Sequence, residues 1–231
     1  MTNELILYAF LGGVLPTIFW LWFWLKEDKL NPEPKKYIAY SFIFGIFSAL
    51  LVLPVEEYIS TLISGTGLVL IIALSFSEEL FKYLGAYFSA LNKKYMDEPI
   101  DAVIYLITVA LGFAALENSL FLISALKSHG SEINHIILVG NMRFIGATLL
   151  HTLCSGIIGL FIAMSFYRKN FSKKIFLLVG FILSVTLHTF FNFFIISSES
   201  KIFIIFLTIW VAIIIMILFL EKIKLMRRRN S

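Results

Sequence analysis

The sequence predicts an all-α fold: a polytopic membrane helix bundle of about seven transmembrane helices, with the N-terminus outside and the C-terminus cytoplasmic. Three observations carry this. Hydrophobic residues make up 59% of the 231 and charged residues only 15%, with a mean hydropathy of +0.90, whereas about a quarter of an ordinary soluble domain is charged. Seven apolar runs approach the roughly 20 residues that a helix needs to cross a bilayer. With alternating spans, fifteen of the nineteen Lys and Arg fall on one side, which the positive-inside rule assigns to the cytoplasm.

The segments are about 5–25, 37–54, 68–91, 100–126, 141–167, 175–196 and 202–220. The first is preceded by Glu4 rather than a basic stretch and has no small-residue cleavage site before Lys26, so it is expected to remain as a helix rather than be removed as a signal peptide. Lys26 to Lys36, with Asn31-Pro32-Glu33-Pro34, is a charged, proline-broken connector. The second segment is read as ending at Pro54, with Glu56 and Glu57 at its outer end and Asp101 at the start of the fourth as solvated boundary charges. The third to sixth segments carry Glu, Lys, Asn or His well inside, which a span tolerates where those groups face protein or water. The seventh is followed by Lys222, Lys224 and Arg227 to Arg229 on the basic side. The spans consume so much chain that residues 1–231 are read as one integral-membrane domain, with no separate soluble unit.

Composition also excludes function classes. The single cysteine, Cys154, rules out an intramolecular disulfide scaffold. The net charge of +4 and pI near 9.1 would suit nucleic acid, but the basic residues flank membrane spans. Membrane lipid is therefore the expected partner, and nucleic acid is not.

The polar residues inside the spans point to chemistry. Glu78 and Glu79 sit near the middle of the third segment, in Ser75-Phe76-Ser77-Glu78-Glu79-Leu80-Phe81-Lys82, where a charge costs a few kcal/mol. Glu78 and Lys82 are four apart and can pair, whereas Glu79 points about 100° away and needs another partner. Two adjacent carboxylates repel in low dielectric, a situation suited to general acid or base work. Glu117 follows Phe113 by four residues in a stretch of small residues that lets helices approach closely. His151 lies in the fifth segment, and His188 in the sixth with Asn192 one turn on. Arg143, Ala147, His151 and Ser155 mark one face of the fifth segment. A structural role remains open for each: a Glu–Lys pair can glue helices, and a lone histidine can be a satisfied core residue.

At about 1.5 Å per residue from the outer boundary, Glu78 and His151 lie roughly 15 Å deep, Glu117 roughly 13 Å and His188 roughly 12 Å. Four segments therefore converge on one level, reachable from the outer side. H-E-x-x-H, G-x-S-x-G and paired intramembrane aspartates are all absent from the sequence, which removes the familiar zinc, serine and aspartyl signatures. Cys154 shares a face with His151, but a lone buried cysteine is more often a small core residue than a nucleophile. The remaining Glu/His/Asn set can activate water by general base catalysis and donate hydrogen bonds to an oxyanion. The same Glu78, Glu79, His151 and His188 can instead hold zinc. Residue types leave both open.

The ordered set Glu78-Glu79-x-x-Lys82, Phe113-x-x-x-Glu117-Asn118, His151 and His188-x-x-x-Asn192 resembles the PrsW family of membrane proteases. The resemblance extends to Asp28, Glu33-Pro34-Lys35 and Asp101, and so covers nearly the whole chain. More distantly, the set is similar to CAAX prenyl proteases and their bacteriocin-immunity relatives, which carry Arg where Lys82 stands and His where Glu117 stands. The resemblance implies a bacterial plasma-membrane endopeptidase that makes the first, extracytoplasmic cut in a single-pass, membrane-anchored anti-sigma factor, so that a second intramembrane protease can release the sigma factor. It implies that Glu78 and Glu79 activate water, Glu117 and His151 assist, and His188 and Asn192 stabilise the oxyanion. Lys82 would fix the glutamates, with Phe113, Asn118 and Arg143 as supporting residues. No cofactor is required on this reading, with zinc as the alternative. Two readings from other classes compete: a proton-coupled carrier, since intramembrane Glu, His and Lys also form relays, and a non-catalytic immunity-type scaffold.

Overall fold

The computed structural model describes residues 3–28, 31–63, 65, 67–129, 146–197 and 202–226. Within them the chain is helical, without strands: α1 (Asn3–Leu25), α2 (Lys35–Leu62), α3 (Leu68–Ala86), α4 (Asp101–His129), α5 (Thr148–Met164), α6 (Asn170–Ser197) and α7 (Ile202–Lys224). One helix lies in each of the seven predicted segments. Five, α1, α2, α4, α6 and α7, are long and apolar enough to cross a membrane. The other two are limited for different reasons. α3 holds Glu78, Glu79 and Lys82 within 19 residues, and α5 is described over only 17.

Two boundaries differ from expectation. α2 does not stop at Pro54 but continues to Leu62; proline removes one intrahelical donor and can kink a helix without ending it. α3 gives way at its end to a π-helical turn, Tyr87–Leu91, a widened geometry that periodicity of apolar residues does not reveal.

α4 is the central element. It packs against α1, α2 and α5, and 72% of its apolar window is buried, against 22–33% for the other four long helices. Close approach explains much of this. Gly45 of α2 lies against the backbone of Val109 and Phe113, Gly112 of α4 against that of Phe42, and Gly159 of α5 against that of Val103, leaving no room for a Cβ at any of the three. Small residues let helices in lipid gain dispersion contacts where no hydrophobic driving force acts between them. Across α4 and α5, Asn118 Nδ2 donates to Thr148 Oγ1 (2.9 Å). Asn118 therefore clamps the two helices that carry Glu117 and His151.

At the end of the bundle carrying the Lys26–Lys36 connector, Asp101 is buried, not solvated as its boundary position suggests. Its Oδ2 accepts the backbone N–H groups of Asp97 (2.9 Å) and Glu98 (2.7 Å), bonds that replace water for a carboxylate placed before the first turn. Asp28 is also buried and accepts the backbone N–H of Glu33 (3.2 Å), while the Tyr105 hydroxyl of α4 donates to Glu33. The proline-broken connector is thus tied to the start of α4.

Candidate active site

α3, α4, α5 and α6 bring Glu78, Glu79, Lys82, Glu117, His151 and His188 into one network. Adjacent positions on α3 give the two glutamates separate surroundings, because a helix turns about 100° per residue. Glu79 and Lys82 are fully buried and joined at 2.5 Å (Nζ to Oε1). Glu79 Oε1 also accepts from His188 Nδ1 (2.8 Å), and its Oε2 accepts the Ser184 hydroxyl (3.1 Å). Both oxygens are therefore engaged, as a buried carboxylate requires. Ser184 is one turn before His188 on α6 and was passed over in the sequence, because a serine among apolar residues carries no distinguishing signal there.

Lys82 Nζ also donates to His151 Nδ1 (2.9 Å) and sits 5.0 Å from the centre of the Phe113 ring. That ring lies 5.5 Å from His151. Phe113 thus forms an aromatic wall beneath the cation and the imidazole. On the far side of the imidazole, His151 Nε2 pairs with Glu117 Oε2 at 2.6 Å. These partners assign the tautomers. His188 carries its proton on Nδ1 toward Glu79, and His151 carries its proton on Nε2 toward Glu117. His188 Nε2 and His151 Nδ1 present their lone pairs to the inner side, where that of His151 already accepts from Lys82 Nζ.

Glu78 faces those two lone pairs. Its Oε2 lies 3.7 Å from His188 Nε2, 3.8 Å from His151 Nδ1 and 4.0 Å from Lys82 Nζ, and it is a buried oxygen with no hydrogen-bond partner. The pair of glutamates therefore divides: Glu79 is satisfied and Glu78 is not.

Donor atoms of Glu78, His151 and His188 lie within 4.8 Å of one another, as do those of Glu79, Cys154 and His188. The first set fits a divalent metal better, because its glutamate oxygen has no hydrogen-bond partner and each histidine is held from behind by a carboxylate, Glu117 or Glu79, as metal-ligating histidines commonly are, with Lys82 Nζ on the His151 Nδ1 lone pair as the one group to be displaced. The second fits poorly, since Lys82, Ser184 and His188 already occupy the Glu79 oxygens.

A cavity of about 50 Å3 leads off the network between α2 and α4, lined by Ala49, Val52, Leu53, Glu56, Glu78, Phe113, Glu117 and Leu120. It has room for water. Glu56, read from sequence as a solvated boundary charge, belongs to this wall. Its spacing of four from Val52 and seven from Ala49 places all three on one helical face, a signal hidden by ending the segment at Pro54. Glu57 is exposed. The Glu117 side chain is 36% exposed, against 13% for Glu78 and none for Glu79. Asn192, one turn beyond His188, is half-buried and is not drawn into the network. Arg143 lies outside the described residues.

Comparisons with known proteins identify the family of the chain. Residues 33–219 match the model of the PrsW family of intramembrane metalloproteases. The chain is 26% identical to Protease PrsW of Geobacillus kaustophilus, over 81% of this chain and 80% of the relative. It is 26% identical to Protease PrsW of Clostridioides difficile, over 89% and 86%, and 29% identical to that of Bacillus subtilis, over 70% and 68%. No solved structure matches the chain. With the family model spanning all four helices that build the network, the chain belongs to the PrsW family of intramembrane metalloproteases, a family of peptidases.

Proposed function

We propose that this chain is a multi-pass endopeptidase of the bacterial plasma membrane, with its N-terminus outside and its C-terminus cytoplasmic, that makes the first, extracytoplasmic cut in a single-pass anti-sigma factor. The observation that carries the catalytic reading is the orphaned Glu78 Oε2 between the inward lone pairs of His151 and His188. A desolvated carboxylate oxygen is costly to keep unpaired, and a hydrolytic centre gives that cost a use.

Glu78, His151 and His188 would hold a divalent metal such as zinc. When bound, such an ion polarises the scissile carbonyl and lowers the pKa of water. The protein's own residues do the rest. Glu79 and Glu117 hold the two imidazoles in the tautomers that point lone pairs inward. Lys82 fixes Glu79 and neutralises part of the site's negative charge. Glu117, the most exposed of the three network glutamates, is placed to take a proton from a water in the cleft and deliver it to the leaving amine. Because the Nδ1–H of His188 is committed to Glu79, the Asn192 amide, one turn further along α6, is the better oxyanion donor.

A metal-free reading, in which Glu78 itself takes the proton of an attacking water, is favoured by one observation: Lys82 Nζ is 2.9 Å from His151 Nδ1 and so occupies one of the lone pairs a metal would need.

The test is co-expression with each tagged single-pass anti-sigma factor of the same genome, following substrate length in wild type and Glu78→Gln, then repeating with purified pair and chelator. Outer-side shortening that disappears in the variant supports the reading. Unchanged shortening in Glu78→Gln rejects Glu78 as the centre. Survival of activity in chelator selects the metal-free route, and loss restored by zinc selects the metal.

A further inference from the structure

A second, larger cavity of about 400 Å3 lies at the basic end of the bundle, where the end of α3, the end of α5 and the start of α6 meet. Its walls are of two kinds. Tyr83 of α3, Tyr87 and Leu91 of the π turn, and Ile162 of α5 form an apolar and aromatic face, while Lys173 and Lys174 of α6 supply two cations. The π turn contributes two of these wall residues, and such turns widen a helix end. Both lysines are exposed, and no carboxylate lies within 4 Å of either among the described residues. The sequence accounts for this: it has no Asp or Glu from Ile133 to Ser198. The apolar wall continues outward onto the exposed side chains of Tyr87, Phe88, Ile175 and Leu178, a surface suited to acyl chains.

We propose that this cavity holds one anionic phospholipid, its headgroup phosphate between Lys173 and Lys174 and its glycerol and upper acyl chain against Tyr83, Tyr87, Leu91 and Ile162. Charge complementarity selects the headgroup, because uncompensated lysines between membrane helices favour anionic over zwitterionic lipid. The apolar wall selects a lipid over a free anion. Tyr83 directly follows Lys82 in α3, so the bound lipid braces the helix that carries Glu78 and Glu79.

The test is native mass spectrometry of the purified full-length protein titrated with POPG or POPC. One POPG per chain is expected to survive activation that strips POPC. Lys173→Ala/Lys174→Ala is expected to weaken POPG roughly thirtyfold, at about 1 kcal/mol for each lysine, whereas Lys93→Ala/Lys94→Ala, exposed and outside the cavity, is expected to leave it unchanged. Ile162→Trp, which fills the cavity at constant charge, is expected to expel the lipid. Equal retention of POPC and POPG by wild type, or undiminished POPG binding in Lys173→Ala/Lys174→Ala or Ile162→Trp, overturns the proposal. An equal loss in Lys93→Ala/Lys94→Ala would reduce it to diffuse surface charge, and displacement of POPG by millimolar inorganic phosphate would reduce it to a free-anion site; either overturns it.

Discussion

Glu78 Oε2 and His188 Nε2 face each other at 3.7 Å, too far for a hydrogen bond and close enough to share a ligand. Next to them, Glu79 is joined to the other nitrogen of the same ring at 2.8 Å. One histidine therefore lies between two neighbouring glutamates, hydrogen-bonded to Glu79 and facing a Glu78 oxygen that has no hydrogen-bond partner.

Glu78→Gln should abolish cleavage, by at least about a hundredfold, while leaving the thermal midpoint in detergent close to that of wild type, because no described donor depends on Glu78 Oε2. A large fall in midpoint together with retained activity would reverse the assignment of the two glutamates.

Lys82→Met should destabilise the protein by about 3–5 kcal/mol, the cost of leaving a buried charge without its partner. Glu79→Gln/Lys82→Met should cost less than the sum of the single changes, since the double variant removes both charges. Equilibrium unfolding in a denaturing detergent, run as a double-mutant cycle, measures the coupling.

If metal is held as proposed, purified protein should contain about one equivalent of zinc, and His151→Ala and His188→Ala should lose it. Glu117→Gln should retain the ion with affinity about 10–100-fold lower, since it removes only the group behind His151. Elemental analysis and competition with a chromophoric chelator read both; equal metal content in wild type and His188→Ala would eliminate the site.

The connector's attachment to α4 should loosen as pH rises. Burial, with the nearby Asp101 carboxylate, raises Asp28 to about 7, although the Glu33 N–H and Lys224 oppose this. Burial also raises Glu33 to about 8, against the Tyr105 hydrogen bond and with Asp101 adding to it. Both groups favour the protonated form when folded, so their stabilisation is complete below about pH 4 and is lost as pH climbs through about 7 to 8. The amide-exchange protection factors of Asn31 and Glu33, taken relative to their intrinsic rates at each pH, should fall over that window, and Asp28→Asn should flatten the profile. Protection factors that do not change with pH would show that these carboxyls do not govern the attachment.

Gly45→Ala and Gly112→Ala should each cost about 1–3 kcal/mol, because a methyl at either position meets backbone of the facing helix, which cannot move aside as a side chain can. Gly67→Ala, where a Cβ meets nothing, is the control. Thermal midpoints in one detergent compare the three.

The sequence by itself determined the helical class, the segments and the main ionisable residues of the network, because an uninterrupted apolar run and a charge inside it are both local facts governed by lipid solvation. Glu78, Glu79, Glu117, His151 and His188 were legible on that ground, and the equal-depth argument brought their helices to one level. Tertiary structure alone decided which neighbours each of them meets. The i,i+4 spacing pointed to Glu78 as the partner of Lys82, yet it is Glu79 that the lysine joins, and the other neighbours of the two glutamates come from α5 and α6, 73 to 110 residues away. Glu56 and Asp101 looked like boundary charges because depth along a helix says nothing of which neighbour covers its side. Asn118, one position on from Glu117, faces another direction and ties α4 to α5 through Thr148, a contact that adjacency in sequence does not reveal. Local sequence sets which groups enter the membrane; the crossing of distant helices sets which of them find a hydrogen-bond partner, and among the described network glutamates it is Glu78 that keeps a buried oxygen without one.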